Sequence, residues 1–349
     1  MTMNTLTKSL LNNCRRAALL TVAASVLALS PAAAPAADMS RGADNFYVSK
    51  QLASEKVQFR NMFGMTLTGT LCTPKNLAAG KHAAVIVGHP HAAVRQQAAS
   101  LYAQKMADAG FVTLCFDQAF WGESGASPRG SVLPDIYAES FSAAVDFLGT
   151  KPFVDRARIG VIGVCGSGGY AISAAKIDTR IRALATVSMY DMGEYYRTGL
   201  NRTRTKETRN RDLERAASAR WEAVDRGEPV YGIGQDDGPF PEAAESNDFY
   251  QTERGNVPSN DRRTTPASYA KFMNFYPFND IASISPRSIL FVVGEIAPSR
   301  CYTDTAYALA DQPKELVIVP GANRIDLYDR TEIIPWDKLA GFFRAHLGK

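Results

Sequence analysis

The chain has 349 residues, of which 46% are hydrophobic and 21% charged, and its formal net charge is +4. That length suits one large domain or two ordinary ones, and the composition excludes a disordered or fibrous chain. Much of the positive charge is local. Lys8, Arg15 and Arg16 precede an apolar run over 17–29, and residues 31–37 are all Ala or Pro. A basic start, a short apolar core and a small-residue cleavage site predict a secretory signal peptide over 1–37. The run is shorter than the roughly 20 residues of a membrane span, and Arg15-Arg16 also permits twin-arginine export. Without 1–37 the net charge falls to +1, because Lys8, Arg15 and Arg16 leave and no acidic residue does. The expectation is a periplasmic or secreted protein with a small-molecule substrate, no nucleic-acid partner, and no membrane association once the signal is removed.

Cys14 departs with the leader, so Cys72, Cys115, Cys165 and Cys301 remain. An even count in an oxidising compartment permits disulfides. The sequence has no Cys-x-x-Cys and no histidine cluster, so neither a metal site nor a cofactor is expected.

In chain order, a strand pair is predicted at 56–60 and 66–72, with a turn at 61–64. Residues 83–87 are a short continuous apolar run, which suits a buried strand. A helix is predicted over 94–109, a strand over 111–116, a helix over 135–148, and a strand over 158–162 followed immediately by a helix that begins over 168–176. Strands follow at 181–188, 288–293 and 316–319, and a terminal helix at 335–347. Buried strands alternating with amphipathic helices predict a mostly parallel sheet covered on both faces. There is no GxGxxG turn after the first parallel strand, which lowers a dinucleotide-binding reading. The stretch 189–280 lacks buried strands. It reads as an exposed helix over 206–226 followed by Gly-, Pro-, Asn- and Asp-rich loops over 227–266. As an insertion between late strands it would form a helical cap over their C-terminal ends, where ligands bind in open α/β sheets. Trp221, Tyr250, Phe272, Phe275 and Tyr276 either line a pocket there or form the cap's own core.

The stretch Arg158-Ile-Gly-Val-Ile-Gly-Val-Cys-Gly-Ser-Gly-Gly-Tyr170 carries the chemistry. A buried strand runs straight into a helix through small residues. Such a turn presents its central side chain above the sheet, beside a helix N-terminus that favours an anion. In the pattern small-x-nucleophile-x-small, Gly163, Cys165 and Ser167 fit. A shifted frame would put Ser167 at the centre, but Cys165 stands closer to the strand's end. A buried, inert cysteine remains the bland alternative.

With these residues the chain resembles the α/β-hydrolase superfamily, in particular its dienelactone hydrolase-like bacterial branch, over roughly residues 50–349. The likeness includes Gly88-His-Pro-His91, Phe116-Asp117 with Gly122-Glu-Ser124, and the elbow. It extends to Thr186-Val-Ser-Met-Tyr-Asp191, Gly294-Glu295 and Gly321-Ala-Asn-Arg-Ile-Asp-Leu-Tyr-Asp329. The resemblance implies an α/β-hydrolase fold over 38–349 with a cap at about 189–280. It implies an oxyanion hole from the backbone N–H of Gly166 and one from the 89–92 loop, at His91. It also places an orienting acid after a late strand, where Glu295 is the only carboxylate of the turn, and a catalytic histidine after the last strand. That position holds Arg324, and arginine cannot act as a base. Arginine does hold a neighbouring thiolate or an anionic substrate group, while a structural ion pair with Asp326 or Glu295 explains it equally well. Three readings follow. In the first, Cys165 attacks a small ester, thioester or lactone, with Arg324 keeping it ionised and His89, His91 or water moving protons. In the second, a degenerate hydrolase binds a ligand under its cap. In the third, Cys165 serves redox or thiol chemistry.

Overall fold

The computed structural model describes residues 36–232, 243–260 and 263–348. All but the last two residues of the predicted leader lie outside the described residues. The first elements are an antiparallel pair, β1 (Leu52–Arg60) and β2 (Thr66–Pro74). Strand and helix then alternate through β3 (His82–Gly88), α1 (Ala99–Asp108), β4 (Val112–Phe116), α2 (Pro134–Gly149), β5 (Val154–Val164), α3 (Gly166–Ile177) and β6 (Ile181–Val187). Next come α4 (Met192–Thr198), α5 (Lys206–Arg226), α6 (Ala243–Gln251) and α7 (Pro266–Tyr269). The chain closes with β7 (Ser288–Gly294), α8 (Arg300–Leu309), β8 (Lys314–Val319), α9 (Asp326–Asp329) and α10 (Trp336–Leu347).

The eight strands form one sheet in the order β1-β2-β4-β3-β5-β6-β7-β8. β2 is antiparallel to both neighbours, and every pairing from β4 to β8 is parallel. Parallel strands joined by helices must be covered on both faces, which is why the central strands read as unbroken apolar runs. Ala84, Val85, Ile86 and Val87 of β3 and Leu290, Phe291, Val292 and Val293 of β7 are fully buried. The expected mostly parallel, helix-covered sheet is therefore present. Among the described residues no helix is long and apolar enough to cross a membrane.

Four elements differ from expectation. The helix predicted from 94 begins at Ala99, because the preceding turn is taken by other bonds. The Arg95 amide donates to Asp117 Oδ1 at 2.7 Å, and Ala98 adopts φ 61°. β5 starts at Val154 rather than 158, and α3 starts at Gly166, directly after the elbow cysteine. Finally, α6 occupies part of a stretch read as loops, and residues 233–242 of that stretch lie outside the described residues. The four described cysteines are free thiols, so none of the permitted disulfides forms among them.

The loop after β4 is held by a buried ion pair. Asp117 is fully buried and accepts from the Arg95 guanidinium, from the Arg95 amide, and from the Glu123 amide at 2.9 Å. Arg95 also reaches Glu123. Removing one partner of a buried pair strands the other charge and costs about 3–5 kcal/mol. Asp117→Ala is accordingly expected to lower the urea midpoint strongly with an unchanged m-value; a shift of less than about 1 kcal/mol would show that Arg95 relaxes to solvent.

Candidate active site

β5 delivers its last residue, Val164, to a turn that L-residues rarely adopt. Cys165 has φ 54° and ψ −121°, and α3 starts at the next residue. Backbone bonds hold that conformation. The Cys165 amide donates to Val187 O at 2.9 Å, and its carbonyl accepts from Gly168 N at 2.9 Å and Tyr190 N at 3.2 Å. Close approach explains the glycine at 163, where a Cβ would fall 2.5 Å from the Ser167 carbonyl oxygen. Strain that surrounding bonds over-determine is characteristic of functional positions.

The shifted frame fails on contact. Ser167 is fully buried, and its hydroxyl donates to His89 O at 2.5 Å. It ties the helix to the 89–92 loop rather than facing the space above Cys165. That loop lies directly over the elbow, since a Cβ on Gly166 would meet His91 Cβ at 2.8 Å and His91 N at 3.4 Å. The His91 backbone is thus packed against Gly166, the residue that follows the elbow cysteine.

Arg324 is at the sulfur. Its Nη1 lies 3.6 Å from Cys165 Sγ and donates to Tyr328 Oη at 2.5 Å. The guanidinium carbon sits 5.2 Å from the Tyr190 ring centre and 5.6 Å from that of Tyr328. Arg324 is only 8% exposed. Two aromatic faces and a phenol oxygen provide favourable surroundings for a planar cation that must lose water to be there. Its backbone is pinned as well, because Ser188 Oγ donates to Arg324 O at 2.9 Å. Of the two carboxylates offered as its ion-pair partner, Asp326 is held by other arginines. Asp326 pairs with Arg41 at 3.1 Å and Arg330 at 2.6 Å and accepts from the Asn323 amide.

Two expected participants are placed elsewhere. Glu295 follows β7 as expected, yet it is exposed, and its carboxylate accepts from Gly321 N at 2.8 Å. It braces the loop after β8 and does not orient a base. His89 is buried, with Nδ1 2.7 Å from Pro90 O and Nε2 accepting from the Gln118 amide at 3.1 Å. An imidazole that accepts at Nε2 carries its proton on Nδ1, so both nitrogens are committed. Burial also lowers its pKa and keeps it neutral, against the opposing pull of Asp117. His89 is therefore a structural residue, not a proton carrier. The His91 ring lies between hydroxyls, with Nε2 3.2 Å from Tyr269 Oη and Nδ1 3.3 Å from Tyr170 Oη.

Tyr328 and Asp191, quoted only within motifs and given no role by the sequence, are buried. Tyr328 is fully buried, and burial pushes its pKa well above the usual phenol value. Spacing was the available signal: a residue four after Arg324 on a helical turn shares its face. Asp191, at the N-terminus of α4, accepts from Glu194 N at 2.7 Å, and burial raises its carboxyl to about 6. From the segment between β6 and β7, Phe249 and Tyr250 pack on Tyr328, and Tyr269 and Phe272 pack on His91. Of the aromatics expected to line a pocket, Tyr250, Phe272 and Phe275 are buried, whereas Trp221 is 73% and Tyr276 46% exposed. Among the described residues no group of three or more His, Cys, Asp or Glu is placed to hold a metal ion.

No family model matches the chain. PA2218 of Pseudomonas aeruginosa, an uncharacterized protein, is 44% identical over 308 residues, which cover 86% of this chain and 83% of its own. Its crystal structure matches with a TM-score of 0.83 over 87% of this chain and 96% of that one. The thiohydrolase aneE of Aspergillus aculeatus is 26% identical over 283 residues, 78% of this chain and 84% of its own. The crystal structure of the α/β hydrolase GrgF from Penicillium sp. sh18, 24% identical, matches with a TM-score of 0.71 over 84% and 99% of the two chains, and speaks for the fold.

The guanidinium beside Sγ makes a prediction about reactivity. Burial raises the pKa values of Cys72, Cys115 and Cys301, which suppresses their thiolates. Iodoacetamide on the folded protein should modify Cys165 first, and Arg324→Ala should slow that modification about 10-fold by removing the adjacent cation. Peptide mapping that found Cys301 labelled before Cys165, or an unchanged rate in the variant, would contradict this.

Proposed function

The chain belongs to the α/β-hydrolase superfamily, and from that premise we propose that it transfers acyl groups from a small ester, thioester or lactone, with Cys165 as the nucleophile. The observation that carries this reading is the Arg324 Nη1 to Cys165 Sγ contact of 3.6 Å on a strained elbow. An elbow that held only a packing cysteine would gain nothing from a buried cation at the sulfur. A nucleophilic thiolate does gain, because opposite charge favours the ionised form. In this reading the thiolate adds to the substrate carbonyl, and the Gly166 and His91 amides receive the developing negative charge. Arg324 steadies the thiolate before attack, and Tyr328 holds the guanidinium in place. A relative named thiohydrolase supports a thioester among the substrates.

A second reading is favoured by a specific observation. The group against the nucleophile is an arginine, His89 is committed at both nitrogens, and Glu295 is turned to Gly321. A protein that binds a ligand without turning it over would carry the same features. The leader over 1–37 supports export by the bacterial secretory route; N-terminal sequencing of the protein from the periplasmic fraction tests this, and a start at Met1 would refute it.

p-Nitrophenyl butyrate separates the two main readings. A nucleophile without a general base should give about one equivalent of p-nitrophenol per protein and then a slow steady state, because water attack on the acyl-enzyme lacks base assistance worth 10²–10⁴-fold. Arg324→His should raise the steady-state rate, by up to about 10²-fold, because an imidazole passes the proton that arginine cannot. The absence of any burst across pH 6–9, with no acyl adduct on Cys165 by mass spectrometry, would leave the ligand-binding reading.

A further inference from the structure

We propose that a groove between α5 and the loop after β4 binds an apolar chain that ends in a carboxylate. This goes beyond the reading of Cys165 as a nucleophile and does not depend on it. The groove holds about 590 Å³, an ordinary volume for a small-molecule site. Neither Cys165 nor Arg324 is among the residues that line it. The groove and the elbow are linked through neighbours in sequence. Trp121 follows Phe120 of the groove wall, Tyr269 follows Ser268, and both rings pack on His91.

The walls ask for an apolar body. Met65, Phe120, Leu133 and Val230 supply apolar surface, and α5 adds Ala219 and Ala223, four residues apart on one face of the helix. Methyl groups at those two positions leave room that longer side chains would fill. Three hydroxyls of the lining are spent on the protein itself. Ser131 Oγ donates to Pro128 O at 2.8 Å, Thr265 Oγ1 to Ser268 Oγ at 2.7 Å, and Ser268 Oγ to Thr265 O at 2.9 Å. Ser268 Oγ also accepts from Val132 N at 2.9 Å. With these groups engaged, the gain on binding is the burial of apolar surface.

Charge gives the chain its head. Arg220 of α5 and Lys271, just past α7, are both exposed and both line the groove, whereas no described Asp or Glu lines it. Spacing along the chain points the same way. Arg226 of α5 pairs with Glu222 one turn away, but no Asp or Glu stands three or four residues from Arg220 or from Lys271. An apolar groove with cations and no carboxylate of its own is complementary to an anionic amphiphile. One guanidinium and one ammonium carry donors only, and a carboxylate carries acceptors only, so a single carboxylate satisfies both.

Equilibrium dialysis of the folded protein against decanoate tests this, with decyltrimethylammonium as the counter-probe of equal chain length. Decanoate should be retained in preference to the cation, and added salt should weaken it. Arg220→Glu and Lys271→Glu, both changes of exposed side chains, should each weaken decanoate by about 5-fold, the upper worth of an exposed ion pair. Ala223→Trp, checked for folding by its thermal midpoint, should abolish retention by filling the groove. Equal retention of the two probes, or no retention of decanoate, would overturn the proposal. Decanoate held as well by Ala223→Trp and by both charge reversals would be bound elsewhere in the molecule, which also overturns it. So would a dimer in sedimentation that Ala223→Trp splits, since the groove would then be a contact between copies. Labelling of Cys165 by iodoacetamide is a separate measurement, so failure here leaves the nucleophile reading standing.

Discussion

Between Val164 and Gly166 the backbone passes through φ 54°, ψ −121°, and the rest of the site is arranged around keeping it there. A side chain with a Cβ is strained in that region, so the turn persists only while its neighbours hold it. Val187 and Tyr190 come from β6 and its exit, and Gly168 comes from the helix that the turn begins. Ser167 then binds the 89–92 loop through His89 O. One strained residue thereby fastens the ends of β3, β5 and β6 into a single corner. The Cys165 sulfur stands in that corner, with the 89–92 loop packed against the residue that follows it.

The second half of the site reaches that corner from the far end of the chain. Arg324 is 159 residues from Cys165, and only the loop after β8 brings it near. That loop is held at several points. Asp326 caps the Asn323 amide and pairs with Arg41 and Arg330. The Leu327 carbonyl accepts from Tyr102 Oη at 2.6 Å. Fully buried Asp329 pairs with Arg254, which leads to Asp248 and so to α6. These charges are costly to bury, and breaking any of them leaves a partner without compensation. Their collective effect is to make the position of one guanidinium insensitive to small movements of the loop.

An arginine at that position changes what the corner is able to do. Imidazole titrates near neutrality and carries protons both ways; guanidinium holds its charge and carries none. Attack by an ionised sulfur needs only the charge. Attack by water needs the proton to be removed. The contacts of His89 and Glu295 agree with this division, since both side chains brace loops instead of joining a relay. The tyrosines around Arg324 belong to the same logic, because they accommodate a permanent cation in a place a neutral imidazole would not need them.

The sequence by itself determined the sheet, the order of its elements and the elbow. These depend on local patterns: runs of apolar residues in β3, β5 and β7, and small residues flanking Cys165 where a strand enters a helix. The resemblance put Arg324 where the family's histidine stands, and its Nη1 lies 3.6 Å from Cys165 Sγ. What it did not reveal was how side chains spend their hydrogen-bonding capacity. His89, Glu295 and Ser167 have residue types suited to catalysis, yet each is committed to a backbone group: Pro90 O and Gln118 N, Gly321 N, and His89 O respectively. Tyr190 and Tyr328 have no motif of their own and matter because two distant loops fold together around Arg324. The start of α1 shifted for the same reason, since the Arg95 amide found Asp117 after β4. Local periodicity records what a segment buries, whereas the partner of a polar atom is decided by whichever chain arrives beside it, and that only the tertiary structure decided.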